Sequence, residues 1–350
     1  MNKFTPLQIT DLRRETEDCV SVAFEPPEGF EYLPGQYLTL RTRLNGEEVR
    51  RSYSICSAPA EGELRIAVKR VPQGKFSTYA NEQLTETDTL EALPPQGKFV
   101  LEVDPTATRR YVGFAAGSGI TPILSILKTV LYEEPSSSFL LFYGNRNGES
   151  IIFREELEAL KNRYLGRLSI HHVLSREHPG SDLFYGHLDG LKCHRFGDIF
   201  FDPTRTDRFF LCGPEAMIHS LRDALTAMNV PPERIKFELF GTSTGTVKPR
   251  KPVQRVEQGT RVTLIQDGLK TDFTFTKTDE NLLDAAMKTG ADLPYACKGG
   301  VCCTCRARIL DGKVDMMINY ALEPDEVAAG YVLTCQAVPT TETVTVSFDD

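Results

Sequence analysis

The stretch YACKGGVCCTCRARI, Tyr295–Ile309, places Cys297, Cys302, Cys303 and Cys305 within nine positions. A metal site, a disulfide knot and a chance cluster are the readings to separate. The chain has nine cysteines, an odd number, and the other five (Cys19, Cys56, Cys193, Cys212 and Cys335) are scattered. A secreted disulfide framework is shorter and evenly paired, so clustered thiols here read as metal ligands in a reducing compartment. Cys297, Cys302 and Cys305 stand as C-x4-C-x2-C, and 29 residues separate Cys305 from Cys335. Plant-type 2Fe–2S sites use this local spacing with a distant fourth cysteine. Two irons need four thiolates; one tight loop can supply most of them while a remote residue closes the far side. Gly299 and Gly300 let backbone N–H groups approach sulfur with no Cβ in the way. The other readings are structural zinc, which normally draws on two paired knuckles whereas the fourth cysteine here is solitary, and merely buried thiols. With the 2Fe–2S set, Cys303 is surplus: using it in place of Cys302 gives x5 and x1 spacings, and x1 strains two ligands against one cluster.

Outward from this loop, RVTLIQDG and TDFTFTK read as strands, and a helix is expected from Glu280 to its stop at Gly290. Before them GTSTGTVKPRKPVQ, residues 241–254, lacks periodicity and reads as a linker. Residues 108–240 alternate strand and helix. RYVGFAA, FLLFYG, LSIHHVLS and RFFLCG are short apolar strands. TPILSILKTVL puts Ile123, Leu124, Leu127, Val130 and Leu131 on one helical face, and PEAMIHSLRDALTAM is a second amphipathic helix. That rhythm predicts a doubly wound parallel sheet. Residues 1–107 read as antiparallel β: Leu64, Ile66 and Val68 alternate with Arg65, Ala67 and Lys69, and an Asn45-Gly46 turn separates two further strand-like runs. A small barrel is expected there, and residues 255–350 form the third domain.

The 350 residues, 41% hydrophobic and 25% charged, suit a multidomain globular protein. A net charge of −8 argues against nucleic acid as partner. No run reaches the roughly 18 apolar residues of a membrane helix, and MNKFTPLQITDLRRE lacks the apolar core of a secretory signal, so a cytoplasmic location without a membrane is expected.

ADLPYACKGGVCCTCRARILDGKV followed by NYALEPDEVAAGYVLTCQAVP resembles the ferredoxin domain of the phenylacetyl-CoA epoxidase reductases, and the resemblance extends over the whole chain in the same order of modules. It implies an FAD-binding β-barrel, a nicotinamide-binding α/β domain and a β-grasp 2Fe–2S ferredoxin domain, with Cys297, Cys302, Cys305 and Cys335 as ligands.

Arg51-Ser52-Tyr53-Ser54 matches the R-x-Y-S flavin motif of the ferredoxin–NADP reductase superfamily. The resemblance implies that Arg51 pairs with the FAD pyrophosphate, Tyr53 packs on the flavin and Ser54 hydrogen-bonds near flavin N5. A planar guanidinium suits phosphate, and a hydroxyl can donate or accept as the ring changes redox state. Gly74, Lys75, Phe76 and Ser77 fall at the family's second phosphate position, although Lys75 also reads as an ordinary solvated charge. Gly117-Ser118-Gly119-Ile120-Thr121-Pro122 follows the superfamily's G-x-G-x-T-P variant, with Thr121 expected as N-cap and Pro122 at the first helical position. Cys212 and Gly213, in a C-G-P-x-x-M match, are expected beside the nicotinamide. Arg146, Ser175 and Arg176 follow successive strands where the adenosine ribose should lie; two cations and a hydroxyl suit a 2′-phosphate and hence NADPH rather than NADH, with Glu177 as the contrary residue. Phe240 is either an aromatic beside the flavin or a core residue.

The resemblance implies hydride transfer from NADPH to FAD, with Ser54 and Cys212 at the reacting centre. Electrons would then leave singly through the cluster to a di-iron oxygenase of phenylacetate catabolism that epoxidises phenylacetyl-CoA. A reductase serving another aromatic-ring or hydrocarbon oxygenase is the second reading. A non-catalytic iron–sulfur sensor or scaffold is a third, opposed by the flavin and nicotinamide motifs. Residues 255–350 carry fifteen acidic against nine basic side chains, a charge balance suited to steering toward a basic partner or simply to solubility.

Overall fold

A computed structural model describes residues 4–240 and 259–349, which fall into two compact units. The expected linker, 241–254, lies outside the described residues. No helix among them is long and apolar enough to cross a membrane.

The first unit begins with an antiparallel sheet of β1 (Thr5–Thr16), β2 (Cys19–Phe24), β3 (Tyr37–Leu44), β4 (Glu47–Ser54), β5 (Leu64–Lys69) and, after helix α1 (Lys75–Glu82), β6 (Thr89–Ala92). The strand order is β4-β3-β6-β1-β2-β5, and a bridge between Ile55 and Ile66 closes the sheet into a barrel. Asn45 (φ 52°) and Gly46 (φ 81°) join β3 to β4, the double positive φ that a two-residue hairpin turn demands. Alternation on β5 is only half realised. Arg65 is buried rather than solvated, because Asp11, Glu63 and Ser21 receive its guanidinium at 2.6–3.2 Å.

The chain continues through β7 (Arg110–Ala116), α2 (Ile120–Glu133), β8 (Ser138–Asn145), α3 (Arg154–Arg163), β9 (Leu168–Leu174), α4 (Gly190–Ile199), β10 (Arg208–Gly213), α5 (Glu215–Ala227) and β11 (Ile235–Leu239). The five strands are parallel in the order β11-β10-β7-β8-β9. Strand order therefore reverses between β7 and β10, and ligands of such sheets sit beyond the carboxyl ends at that point. The α2 helix is buried on every side from Ile120 to Leu131, not on one face. One side packs on the sheet and the other meets the barrel, where Ser125 donates to the Ser57 carbonyl at 2.6 Å and Lys128 pairs with Glu61 (2.7 Å) and Glu156 (2.9 Å).

The second unit comprises β12 (Thr260–Gln266), β13 (Leu269–Phe275), α6 (Leu282–Met287), β14 (Arg306–Asp311), β15 (Val314–Met316), α7 (Pro324–Ala328), β16 (Tyr331–Leu333), β17 (Ala337–Pro339) and β18 (Thr343–Ser347). The main sheet runs β13-β12-β18-β14-β16, with β12 and β18 parallel, and β15 pairs with β17. Helix α6 is shorter than the expected 280–290. Asn281 caps it by accepting the Asp284 N–H at 2.9 Å, and the Thr289 hydroxyl takes the Ala286 carbonyl at its other end.

Candidate functional site

In the first unit the reversal point gathers three chain segments. Ser54, buried at the end of β4, donates to Glu238 Oε2 at 3.1 Å. Glu238 lies on β11 in register with Cys212 on β10, so the serine, the carboxyl and the thiol come together. Burial pushes the Glu238 carboxyl up to about 8, only partly opposed by the Ser54 hydrogen bond. Burial, and then the neighbouring Glu238, push the Cys212 thiol well above its ordinary value. The motif reading passed over Glu238. Its signal was an acid within the strand IKFEL, which alternation alone assigns to the surface.

Gly117 (φ 53°) and Gly119 form a 3-10 turn that runs straight into α2. A Cβ on Gly119 would stand 2.2 Å from the Cys212 carbonyl oxygen, so only glycine lets this turn close on β10. Thr121 is not the N-cap. The 3-10 turn carries the helical path back to Gly119, which caps α2 without a side-chain bond, and the Thr121 hydroxyl donates to the Ser118 carbonyl at 3.0 Å. Pro122 falls in the first turn, where its missing N–H costs nothing. Tyr143 donates to the Gly117 carbonyl at 3.0 Å and anchors the turn. Gly213 follows Cys212 against Met217. The α2 start stands at the sheet's carboxyl edge with no side-chain cap, a favoured end for an anion, although its Ile120 N–H already bonds back to the Gly117 and Ser118 carbonyls and Pro122 has none.

The barrel offers a second such end. Gly74 caps α1 with no side-chain bond, and a Cβ there would stand 2.3 Å from Ser77 Oγ, which accepts the Val71 N–H at 3.2 Å. Arg51 is exposed on β4, and Tyr53 is half-buried with its ring centroid 5.3 Å from that of Phe76. Phe76 itself is a core residue. Lys75 is exposed and ion-paired with Glu47. A guanidinium, an aromatic face and an uncapped helix start with a glycine approach fit a flavin dinucleotide.

Arg146 follows β8, and its Nη2 pairs with Asp18 at 2.8 Å. Ser175 and Arg176 follow β9, tied by backbone bonds to Asn145 and Arg146 at 3.0 and 2.8 Å. Glu177 accepts the Gly148 N–H at 2.7 Å. Phe240 is half-buried against the apolar core of this unit.

In the second unit the loop between α6 and β14 holds the cysteines. Lys298 (φ 50°) and Gly300 (φ 75°) turn its backbone. Cys297 and Cys302 sulfurs lie 3.1 Å apart, Gly299 N–H points at Cys297 Sγ at 3.3 Å, and the free thiol of Cys305 hydrogen-bonds to the Cys335 sulfur. Within each pair one thiol donates a hydrogen bond to the other sulfur. The Cys302 thiol, with backbone N–H groups of residues 299, 301 and 302, draws Cys297 down to about 6 against the opposing burial, and Cys305 lowers Cys335. Cys302 and Cys305, the donors, are raised by those partners and by burial. Cys303 turns away to the Ala321 carbonyl at 3.3 Å. Among the described residues no three His, Cys, Asp or Glu side chains gather as a ligand group. The thiols stand instead as two pairs, the donor set that two irons with two thiolates each require.

Family models match in the same order: an oxidoreductase FAD-binding domain over residues 7–101, an oxidoreductase NAD-binding domain over 114–223 and a 2Fe–2S iron–sulfur cluster binding domain over 265–340. A component of the 1,2-phenylacetyl-CoA epoxidase of Escherichia coli is 45% identical over 100% of this chain and 99% of its own length. The chain belongs to this family of oxygenase reductases. The family also extends to the ferredoxin reductase component of the 3-ketosteroid-9-alpha-monooxygenase of Rhodococcus rhodochrous, 31% identical over 98% of this chain and 96% of its own. Phthalate dioxygenase reductase shares the fold, with a TM-score of 0.61 at 24% identity over 99% of this chain and 98% of its own. This reductase is thus an oxidoreductase with FAD, nicotinamide and 2Fe–2S modules, an electron-transfer component of a multicomponent oxygenase.

Proposed function

We propose that this reductase takes electrons from NADPH and delivers them, through FAD and a 2Fe–2S cluster, to a cytoplasmic di-iron oxygenase that epoxidises phenylacetyl-CoA. The observation that carries the reading is the pairing of four thiols, two by two, in a chain that also brings Ser54, Glu238 and Cys212 together at the reversal point of a parallel sheet. The full-length likeness to a phenylacetyl-CoA epoxidase component supports the acceptor. The matched segments all fall inside proposed domains 1–107, 108–240 and 255–350.

When bound, FAD takes a hydride and the cluster takes single electrons, which together convert a two-electron donor into a one-electron source. Arg51 and the α1 start, with Gly74, Ser77 and the flanking Lys75, hold the pyrophosphate. Tyr53, backed by Phe76, supports the flavin, and Phe240 borders it. Ser54 orients a hydroxyl whose partner, Glu238, keeps a proton at its carboxyl near neutral pH. Gly117, Gly119 and Thr121 admit the nicotinamide dinucleotide to the α2 start, with Cys212 and Gly213 beside the ring. Arg146, Ser175 and Arg176 receive the 2′-phosphate; engagement of Glu177 by the Gly148 N–H, and the cationic ends of two successive strands, support NADPH over NADH. Cys297, Cys302, Cys305 and Cys335 hold the cluster.

The test is an anaerobic visible titration with NADPH and, in parallel, NADH, with iron, sulfide and flavin measured on the same sample. One FAD, two irons and two sulfides per chain, both chromophores bleaching at lower NADPH than NADH, is the expected result. Zinc in place of iron overturns it. Turnover with a phenylacetyl-CoA oxygenase, compared with other ring and steroid oxygenases, decides the acceptor; the 31% identical steroid reductase keeps the wider class in view.

A further inference from the structure

Gln336 follows the distal ligand Cys335 and is only 6% exposed. Its Nε2 donates to the Lys298 carbonyl at 3.0 Å and lies 3.7 Å from Cys335 Sγ. A primary amide has two N–H donors, so one serves the cysteine loop and the other the distal sulfur. The backbone fixes this placement. Gln336 N–H donates to the Leu333 carbonyl at 2.8 Å, and its own carbonyl accepts the Met317 N–H at 2.9 Å. Space for the side chain comes from Gly300, where a Cβ would stand 3.2 Å from Gln336 Cγ.

We propose that Gln336 is a positioning residue that donates a hydrogen bond to the Cys335 sulfur and thereby sets the reduction potential of the 2Fe–2S cluster, while tying the distal ligand to the loop that carries the other three. This rests on the four cysteines being the cluster ligands. Reduction adds one electron, and the extra negative charge spreads onto the ligand sulfurs. An N–H aimed at one of them stabilises the reduced state more than the oxidised one, so the contact raises the potential and favours uptake of an electron from the flavin. The amide does not titrate, so no proton accompanies the electron through Gln336.

Gln336→Leu and Gln336→Met remove both donors and keep an apolar side chain of similar length or bulk. Each is prepared in the full-length, FAD- and cluster-loaded protein and titrated anaerobically, with the reduced cluster followed by EPR. At the wild-type midpoint the reduced-to-oxidised ratio should fall about tenfold, a downward shift of about 59 mV for a one-electron couple. An unchanged midpoint with iron and sulfide intact overturns the proposal. If both variants lose the cluster, the loaded wild-type protein, labelled with 15N in glutamine side chains, decides. Pulsed EPR should show a 15N coupling to the reduced cluster, and its absence overturns the hydrogen bond. Wild-type protein that carries no iron or sulfide would instead sink the ligand assignment itself.

Discussion

Cys302 and Cys303 are neighbours with opposite surroundings. Cys302 is buried with its sulfur 3.1 Å from Cys297, whereas Cys303 is half-buried and bonded to the Ala321 carbonyl. Cys303→Ser should therefore retain the full iron and sulfide content and the visible absorption of the cluster, while Cys302→Ser should lose most of both; the reverse pattern would reassign the ligands. The spacing predicts that division, because thiolate chemistry leaves few ways to wrap two irons with one loop. Glu238 was not legible, because its meaning depends on partners far away in sequence: Cys212 through strand register and Ser54 from the barrel. Its burial disfavours the carboxylate and raises its titration from 4.5 to about 8. Between those values the folded protein holds a proton that the unfolded chain has lost, so this group's contribution makes stability fall as pH rises through that window. Glu238→Gln keeps the shape and the bond from Ser54 but cannot titrate. The variant's urea midpoint should fall less between pH 5 and 8 than the wild type's, and parallel curves would show that Glu238 is an ordinary exposed acid.

At the scale of elements, the 3-10 turn before α2 illustrates where reading by pattern stops. Glycine, threonine and proline in order predict a cap at Thr121 and a helix start at Pro122; the structure caps α2 at Gly119 and begins it at Ile120, preceded by Gly117–Gly119. The displacement arises because β10 lies against the turn, a packing no local rule contains. Gly119→Ala would drive a methyl into the Cys212 carbonyl, 2.2 Å away, and must push the turn off β10. Overpacking of this kind costs about 1–3 kcal/mol, read as a lower urea midpoint, and the displaced turn should raise KM for the nicotinamide cofactor. Normal stability with normal KM would mean that the turn has room to move. Strand and helix types were legible from periodicity, including the Asn45-Gly46 hairpin, whose residues dictate their own backbone. Burial was less so. Lys128 and Arg65 sit inside because barrel and helix close over them with Glu61, Glu156, Asp11 and Glu63 as partners, and only the assembled unit supplies those carboxylates.

Across the whole molecule, charge is unevenly shared. Of the net −8, residues 255–350 contribute −6. Several of these acids are already committed within the fold: Glu326 to Arg306, Asp284 to Lys298 and Asp279 to Lys288, at 2.5–2.8 Å. Each such pair is neutral at a distance and leaves the excess to residues such as Asp311, Asp315, Glu323 and Asp325, so the field outside the module remains negative. A module that gives up electrons one at a time must meet its acceptor repeatedly and leave again, which favours long-range attraction over a large apolar contact. Attraction of this kind weakens as the Debye length shrinks from roughly 20–30 Å near 10–20 mM salt to about 8 Å at 150 mM. The step is isolated by reducing the protein anaerobically and mixing it with the oxygenase in a stopped flow at limiting concentrations, so that nicotinamide binding plays no part. The second-order rate should fall roughly tenfold between about 20 and 200 mM salt. A rate indifferent to salt would mean that the acidic balance serves solubility, and that docking relies on short-range contacts at the cluster end of the module.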